Sequence, residues 1–166
     1  MNLSADMIGA DLFIQALNTM FTNKNHEIIE RLSEIGFEFA SKEFPNAVYD
    51  GTNDVNVSLK WVNDNTVDIQ ASGASVLFIE FGTGVTYNPS SVGVEFGFLI
   101  GEYGKGQGKH KAWAYQGEPG TNGKPIEGRD GWILTRGNPA NRIMYNASEE
   151  MKRRIEEVIK GVYGID

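Results

Sequence analysis

The spacing of apolar residues changes once along this chain, and that change limits the folds open to it. Up to Phe44 they recur at three- and four-residue steps, whereas from Val55 they alternate singly, Val55, Val57, Leu59 and Trp61 with Asn56, Ser58 and Lys60. The first period belongs to helices with a buried stripe, the second to a half-buried strand. Met7, Ile8, Leu12, Phe13, Ala16, Leu17, Met20 and Phe21 mark one helical stripe. Ile28, Ile29, Leu32, Ile35, Phe39 and Ala40 mark a second, with Glu27, Glu30, Arg31, Glu34, Glu38 and Lys42 on the opposite, solvated face. Pro45 is expected to end this region near Phe44, because proline disfavours helical geometry in the residue before it.

Asn63-Asp64-Asn65 is expected to turn the first strand into a second, carrying Val67, Ile69 and Ala71. Ser72-Gly73 would then lead into a third, Val76 to Val85, which reads V-L-F-I-E-F-G-T-G-V. Three strands joined by short turns imply an antiparallel meander with one face against helices. Strand alternation places Leu77, Ile79 and Phe81 on one face and Val76, Phe78 and Glu80 on the other. The Glu80 carboxylate is then expected to accept hydrogen bonds from the amides of the glycine turn, or to pair with an arginine such as Arg142.

Between Thr86 and Gly137 the texture loosens, and 12 of the 20 glycines fall there. Ala112 to Tyr115 and Gly131 to Thr135 still look extended, which suggests a hairpin with a long mobile tip and with Trp113 and Trp132 as near neighbours across it. In the last element Asn138 precedes Pro139, a cap followed by a good first helical residue. Ala140, Ile143, Met144, Ala147, Met151, Ile155, Val158, Ile159 and Val162 form its stripe. The expected fold class is α+β: N-terminal helices and a long C-terminal helix packed on one face of an antiparallel β-sheet, with a long Gly-rich loop or hairpin. A chain of 166 residues suits a single domain, here divided into a helical part (1–45), a meander (54–82), a mobile insertion (86–131) and a terminal helix (138–162).

Chemistry is harder to find than architecture. With no cysteine, disulfide frameworks and thiolate metal sites are excluded. No apolar run approaches the roughly 20 residues needed to span a bilayer, and the N-terminus lacks the basic region of a signal peptide. The Gly-Lys cluster after Gly101 has one residue too few before Gly108-Lys109 for a phosphate loop, and His110 stands where a hydroxyl residue is required. His26 and His110 have no partner at metal-ligand spacing, no G-x-S-x-G elbow occurs, and nothing in the spacing pairs Glu80 with Asp64, Asp68, Glu95 or Glu102. Neither an enzyme nor a cofactor is expected. Lys105, Lys109, His110 and Lys111 lie close to Tyr103, Trp113 and Tyr115, a mixture of charge and aromatic faces that also occurs in single-strand binders. A nucleic-acid- or host-factor-binding module using residues 103–115 is therefore the alternative reading.

Charge is unevenly placed. The net value is −7, yet residues 1–54 hold three basic and nine acidic side chains while residues 105–166 hold eleven basic and eight acidic. An acidic front and a basic back suit head-to-tail contact between copies.

The combination of a helical N-terminal region, the segment Ile79-Glu80-Phe81-Gly82-Thr83 followed by Gly84, and the later Gly137-Asn138-Pro139-Ala140 with Ala147 beyond it resembles the tail-component family of tailed bacteriophages. That family includes head–tail joining, tail-completion and tail-terminator proteins. The resemblance implies a structural virion protein of the tail or neck, assembled in the bacterial host cytoplasm. It would form a ring, commonly of six, that meets a neck or head-completion protein and the tail tube protein while DNA passes through its lumen. The assembly interface is expected at Lys105, Lys109, Lys111, Trp113, Tyr115, Trp132 and Arg142. The glycine-rich insertion, costly to order, would become ordered only against a partner ring.

Overall fold

The computed structural model describes residues 3–83 and 112–165. Their architecture is α+β. Helix α1 spans Leu3–Glu43, strands β1 (Asn56–Asn63) and β2 (Thr66–Ser72) follow, and a short helix α2 spans Val76–Phe81. Strands β3 (Trp113–Gln116), β4 (Lys124–Pro125) and β5 (Trp132–Thr135) precede helix α3 (Ile143–Tyr163).

The two expected N-terminal helices are one helix of 41 residues. Nothing between Phe21 and Ile28 breaks it: the T-N-K-N-H-E stretch lacks proline and glycine, so helical geometry runs through the polar gap. Pro45 ends it as expected, in a 3-10 turn over Phe44–Asn46 with Phe44 fully buried. The C-terminal half of α1 is the axis of the fold, packing α3 along one side and the β1–β2 hairpin along another. A Cβ on Gly36 would sit 2.6 Å from Met151 Sδ and 2.7 Å from Ile69 Cδ1, so the missing side chain lets all three elements approach. Ala40, Phe44, Ile79, Ile143 and Ala147 form the buried core, with Phe39, Tyr49, Val57, Ala71 and Met144 packed around it.

Strand β1 pairs antiparallel with β2, setting Val57 opposite Ala71, Leu59 opposite Ile69 and Trp61 opposite Val67 on one face. The Asn63 side chain accepts the Asn65 amide in the turn. His26 fixes this hairpin to α1. Its ring stacks on Trp61 with centroids 4.1 Å apart, and its Nδ1 lies 3.2 Å from the Asp64 carbonyl oxygen, to which it donates.

The third strand of the expected meander does not form: V-L-F-I-E-F is helix α2. A six-residue apolar run carries no decisive period, and the tertiary surroundings decide. Asp54, at the entrance to β1, accepts the amides of Ala74 (2.8 Å) and Ser75 (2.9 Å) and the Ser75 hydroxyl (2.5 Å), which turns the chain into a helix. Gly82 stops it, donating its amide to Phe78 O at 3.0 Å. The sheet is therefore two separate sheets, a β1–β2 pair and a three-stranded sheet in the order β3-β5-β4.

The Ser75 hydroxyl bond, followed by the two amide bonds, lowers the Asp54 pKa to about 2. A depressed folded-state pKa contributes stability above the unfolded value near 4, and that contribution is lost as pH falls towards 2. Asp54→Asn is expected to flatten the stability–pH curve between about pH 4 and pH 2, measured by urea unfolding in that window. A curve as steep as that of the unmodified protein would show that Asp54 carries no such linkage.

Candidate functional site

The segments Ile79 to Thr83 and Gly137 to Ala140 are about sixty residues apart in sequence and meet in space. Thr83 and Asn138 form an isolated antiparallel bridge, with Thr83 N donating to Asn138 O at 2.8 Å and Asn138 N to Thr83 O at 3.1 Å. Gly82 makes the approach possible. Its φ of 79° and ψ of 171° fall in a region essentially reserved for glycine, and a Cβ would lie 2.8 Å from both Ala140 N and Asn138 O.

Two asparagines lace this junction to the segment after α1. The Asn138 Oδ1 accepts the Asp50 amide at 2.6 Å, while its Nδ2 donates to Thr83 Oγ1 at 3.2 Å. Asn141 donates from Nδ2 to Val48 O (3.0 Å) and Ile79 O (3.2 Å) and accepts the Val48 amide on Oδ1 (2.9 Å). Asp50, buried, completes the network: Oδ1 accepts the amides of Asn122 (2.6 Å) and Gly123 (2.8 Å), and Oδ2 accepts the Thr135 hydroxyl (2.6 Å). The β3–β5 sheet is thereby tied to the junction.

Glu80 has a role other than the two expected of it. Its carboxylate caps helix α3, accepting the amides of Met144 on Oε2 (2.9 Å) and Tyr145 on Oε1 (3.1 Å). Helix α3 begins at Ile143, so Asn138 and Pro139 are junction residues and not its cap and first turn. The N-cap is Arg142, in left-handed geometry (φ 56°, ψ 39°), with its amide donating to Glu80 O. Its side chain offers no cap bond, so the acid reaches in from α2 to satisfy two first-turn amides that would otherwise be orphaned. The Arg142 guanidinium stacks over the Tyr145 ring at 4.2 Å instead of pairing with Glu80.

Of the remaining expected interface residues, Trp113, Tyr115 and Trp132 belong to the paired strands β3 and β5. Lys105, Lys109, Lys111 and Gly84 lie outside the described residues, as does the expected insertion (86–131) up to Lys111, while its remainder holds β3 and β4. Trp113 faces Thr135 and Trp132 faces Gln116 in the β3–β5 register, so the two tryptophans stand at opposite ends of the pair and are not neighbours. Trp113 and Tyr115 line a cleft of about 220 Å³ with Tyr49, Phe78 and Asp50, below the roughly 300 Å³ at which small-molecule sites begin. Burial, then the nearby Asp50, pushes the Tyr115 phenol up to about 12; burial, then Asp54, raises Tyr49. Both phenols therefore stay neutral across the physiological range, and the Tyr115 hydroxyl donates to Glu118 O at 2.6 Å. The carboxylate oxygens of Asp50 and Glu80 are already taken by structural donors. Among the described residues no cluster of acids and histidines could hold a metal ion, and no helix is long and apolar enough to cross a membrane.

A second feature stands apart from the junction. Lys24 of α1 meets the C-terminal end of α3, where its Nζ donates to Val162 O and lies 5.8 Å from the Tyr163 ring centroid. Beyond it, Leu12, Phe13, Ile14, Met20 and Phe21 are exposed, Phe13 by 64%. Patches of this kind mark interaction surfaces. The sequence pattern shows the stripe, but only the end of α3 at Tyr163 reveals that it has no cover from α3.

The described residues thus form an α+β scaffold in which the two motif segments latch onto each other and α1 exposes apolar side chains between Leu12 and Phe21. Compared with known proteins, the chain matches no protein-family model, no curated protein and no solved structure.

Proposed function

We propose that this chain is a structural virion protein of the neck of a tailed bacteriophage or prophage. It forms a ring that completes or terminates the tail, joining it to the head through a neck or head-completion protein and the tail tube protein. The observation that carries this reading is the N-terminal half of α1, whose exposed apolar side chains need a macromolecular cover. The junction supports it: Glu80 ties α2 to the start of α3, and Thr83 and Asn138 tie the segments that flank them, which suits a rigid building block. A net charge of −7 would let a ring line a channel without retaining DNA, since like charges repel.

Mass measurement of the purified protein, alone and mixed with tail tubes, tests the proposal. The expected result is a closed oligomer on the tubes, together with the protein's presence in purified particles. A chain that remains monomeric with tubes and is absent from particles would sink it. Tight duplex-DNA binding at physiological salt, lost on substitution of Lys109 and Lys111, would favour the nucleic-acid-binding module instead.

A further inference from the structure

The aromatic cleft beside the junction has a sign of charge and a size that together select an occupant. Trp113 and Tyr115 stand two residues apart on β3 and so share one face of it, the face on which their cross-strand partners Thr135 and Ile133 are buried. Tyr49, from the segment after α1, and Phe78, from α2, complete the aromatic lining, with Asp50 among them. Two of the rings are held in advance. Tyr49 is tied to the β3–β4 connection, its carbonyl accepting the Thr121 amide at 2.8 Å and its own amide donating to Thr121 Oγ1 at 3.2 Å. The Tyr115 hydroxyl is anchored on Glu118 O.

Asp50 gives this cleft its sign. It is 5% exposed, yet the donors to its carboxylate are neutral: two backbone amides and the Thr135 hydroxyl. Such donors stabilise the charge without cancelling it, and a buried charge ordinarily has a counter-ion. The ion pairs of the described residues lie within α1 and α3, and none involves Asp50. Lys124 and Arg136 border a separate cleft with Asp50 and are not paired with it. Behind burial itself, the charges that keep the two phenols protonated are acidic: Asp54 then Asp50 at Tyr49, and Asp50 with Glu118 at Tyr115. Aromatic faces are negative as well, so rings and acids attract the same kind of group.

We propose that this cleft is the binding site for a lysine side chain of a partner protein. The ammonium lies against the aromatic faces in the field of Asp50, and its apolar stem fills the remainder of the cleft. The volume of about 220 Å³ exceeds the roughly 150 Å³ that admits a benzene ring and falls short of the roughly 300 Å³ of small-molecule sites. That range fits one long side chain and not a whole small molecule. Lysine suits the cleft better than arginine. A planar guanidinium is best met by a bidentate acceptor, and both oxygens of Asp50 are already bonded within the fold, whereas an ammonium acts as a compact point charge. The site is a recognition feature in its own right, and its test does not depend on ring assembly.

The three tryptophans, Trp61, Trp113 and Trp132, give three indole N–H resonances, assigned by replacing each in turn with phenylalanine. The full-length protein is titrated at about pH 7, where a lysine side chain is charged, with N-acetyl-lysine methylamide, with its uncharged analogue N-acetyl-norleucine methylamide, and with tetramethylammonium. The lysine compound is expected to move the Trp113 resonance saturably and to leave Trp61 and Trp132 in place. The norleucine compound is expected to bind about tenfold more weakly. Tyr115→Leu should erase that preference without changing melting; if melting does change, the comparison of the two compounds on the unmodified protein decides alone. Equal binding of the two would overturn the proposal in favour of a merely apolar cleft. Tetramethylammonium binding about tenfold tighter than the lysine compound would overturn it in favour of a quaternary ammonium ligand. No saturable shift at Trp113, or an equal one at Trp132, would overturn the site itself.

Discussion

Asp50→Ala should lower the unfolding free energy by about 3 kcal/mol, because it strips the acceptor from three donors at once. The Thr135 hydroxyl is buried and loses the Asp50 acceptor, while the amides of Asn122 and Gly123 are partly buried and recover some bonding from water. For a domain of this size each kcal/mol moves the melting temperature by about 2–4 °C, so a drop of roughly 10 °C is expected. Asp50→Asn retains one oxygen and should recover about half of the loss, since its amide nitrogen would meet a donor on one side. Urea unfolding of the three proteins measures this directly. A change below about 1 kcal/mol in Asp50→Ala would mean that the network is not what ties the β3–β5 sheet to the junction.

Glu80→Ala is expected to cost about 2–4 kcal/mol, and Glu80→Gln about half of that. Alanine leaves the amides of Met144 and Tyr145 without acceptors at the start of α3 and removes a negative charge from the positive end of the helix dipole. Glutamine keeps one acceptor oxygen and loses the charge. The damage should be local before it is global. Amide exchange in the first turn of α3 should accelerate in Glu80→Gln at denaturant concentrations where α1 remains protected. Unchanged melting in both variants, with unchanged exchange at Met144 and Tyr145, would show that the carboxylate does not cap the helix.

These two acids illustrate how differently the fold and the site were legible. The helical and strand periods on either side of Pro45 were local, and both survived folding: α1 ends at Glu43 and β1 alternates as spaced. Long amphipathic stripes are legible because a helix repeats its buried face every turn. The V-L-F-I-E-F run was not, since six apolar residues suit either geometry and the deciding acceptor, Asp54, lies some twenty residues upstream. Asn138 looked like a helix cap by its neighbours and proved to be a bridge to Asp50 and Thr83, both distant in sequence. Trp113 and Trp132 were placed together by assuming a hairpin centre that the true register shifts.

The sequence by itself determined the α+β class, the end of the first helix and the hairpin of β1 and β2, because each depends on residues within a turn or a strand of one another. Of the stripe expected to be buried on α3, Ile143, Ala147, Val158 and Val162 are buried, whereas Ile155 and Ile159 are exposed. Tertiary structure alone decided that the Glu80 segment is helical, that its acid caps α3, and that Asp50, Asn138 and Asn141 are latches, because their partners are brought within hydrogen-bonding distance only once the chain has folded. It also separated two apolar surfaces that look alike in sequence. The stripe at Ile29 and Leu32 lies beside α3, whereas the stripe at Phe13 and Met20 lies past its end. A residue's spacing says which face it shares; the length of the neighbouring helix says whether that face is covered.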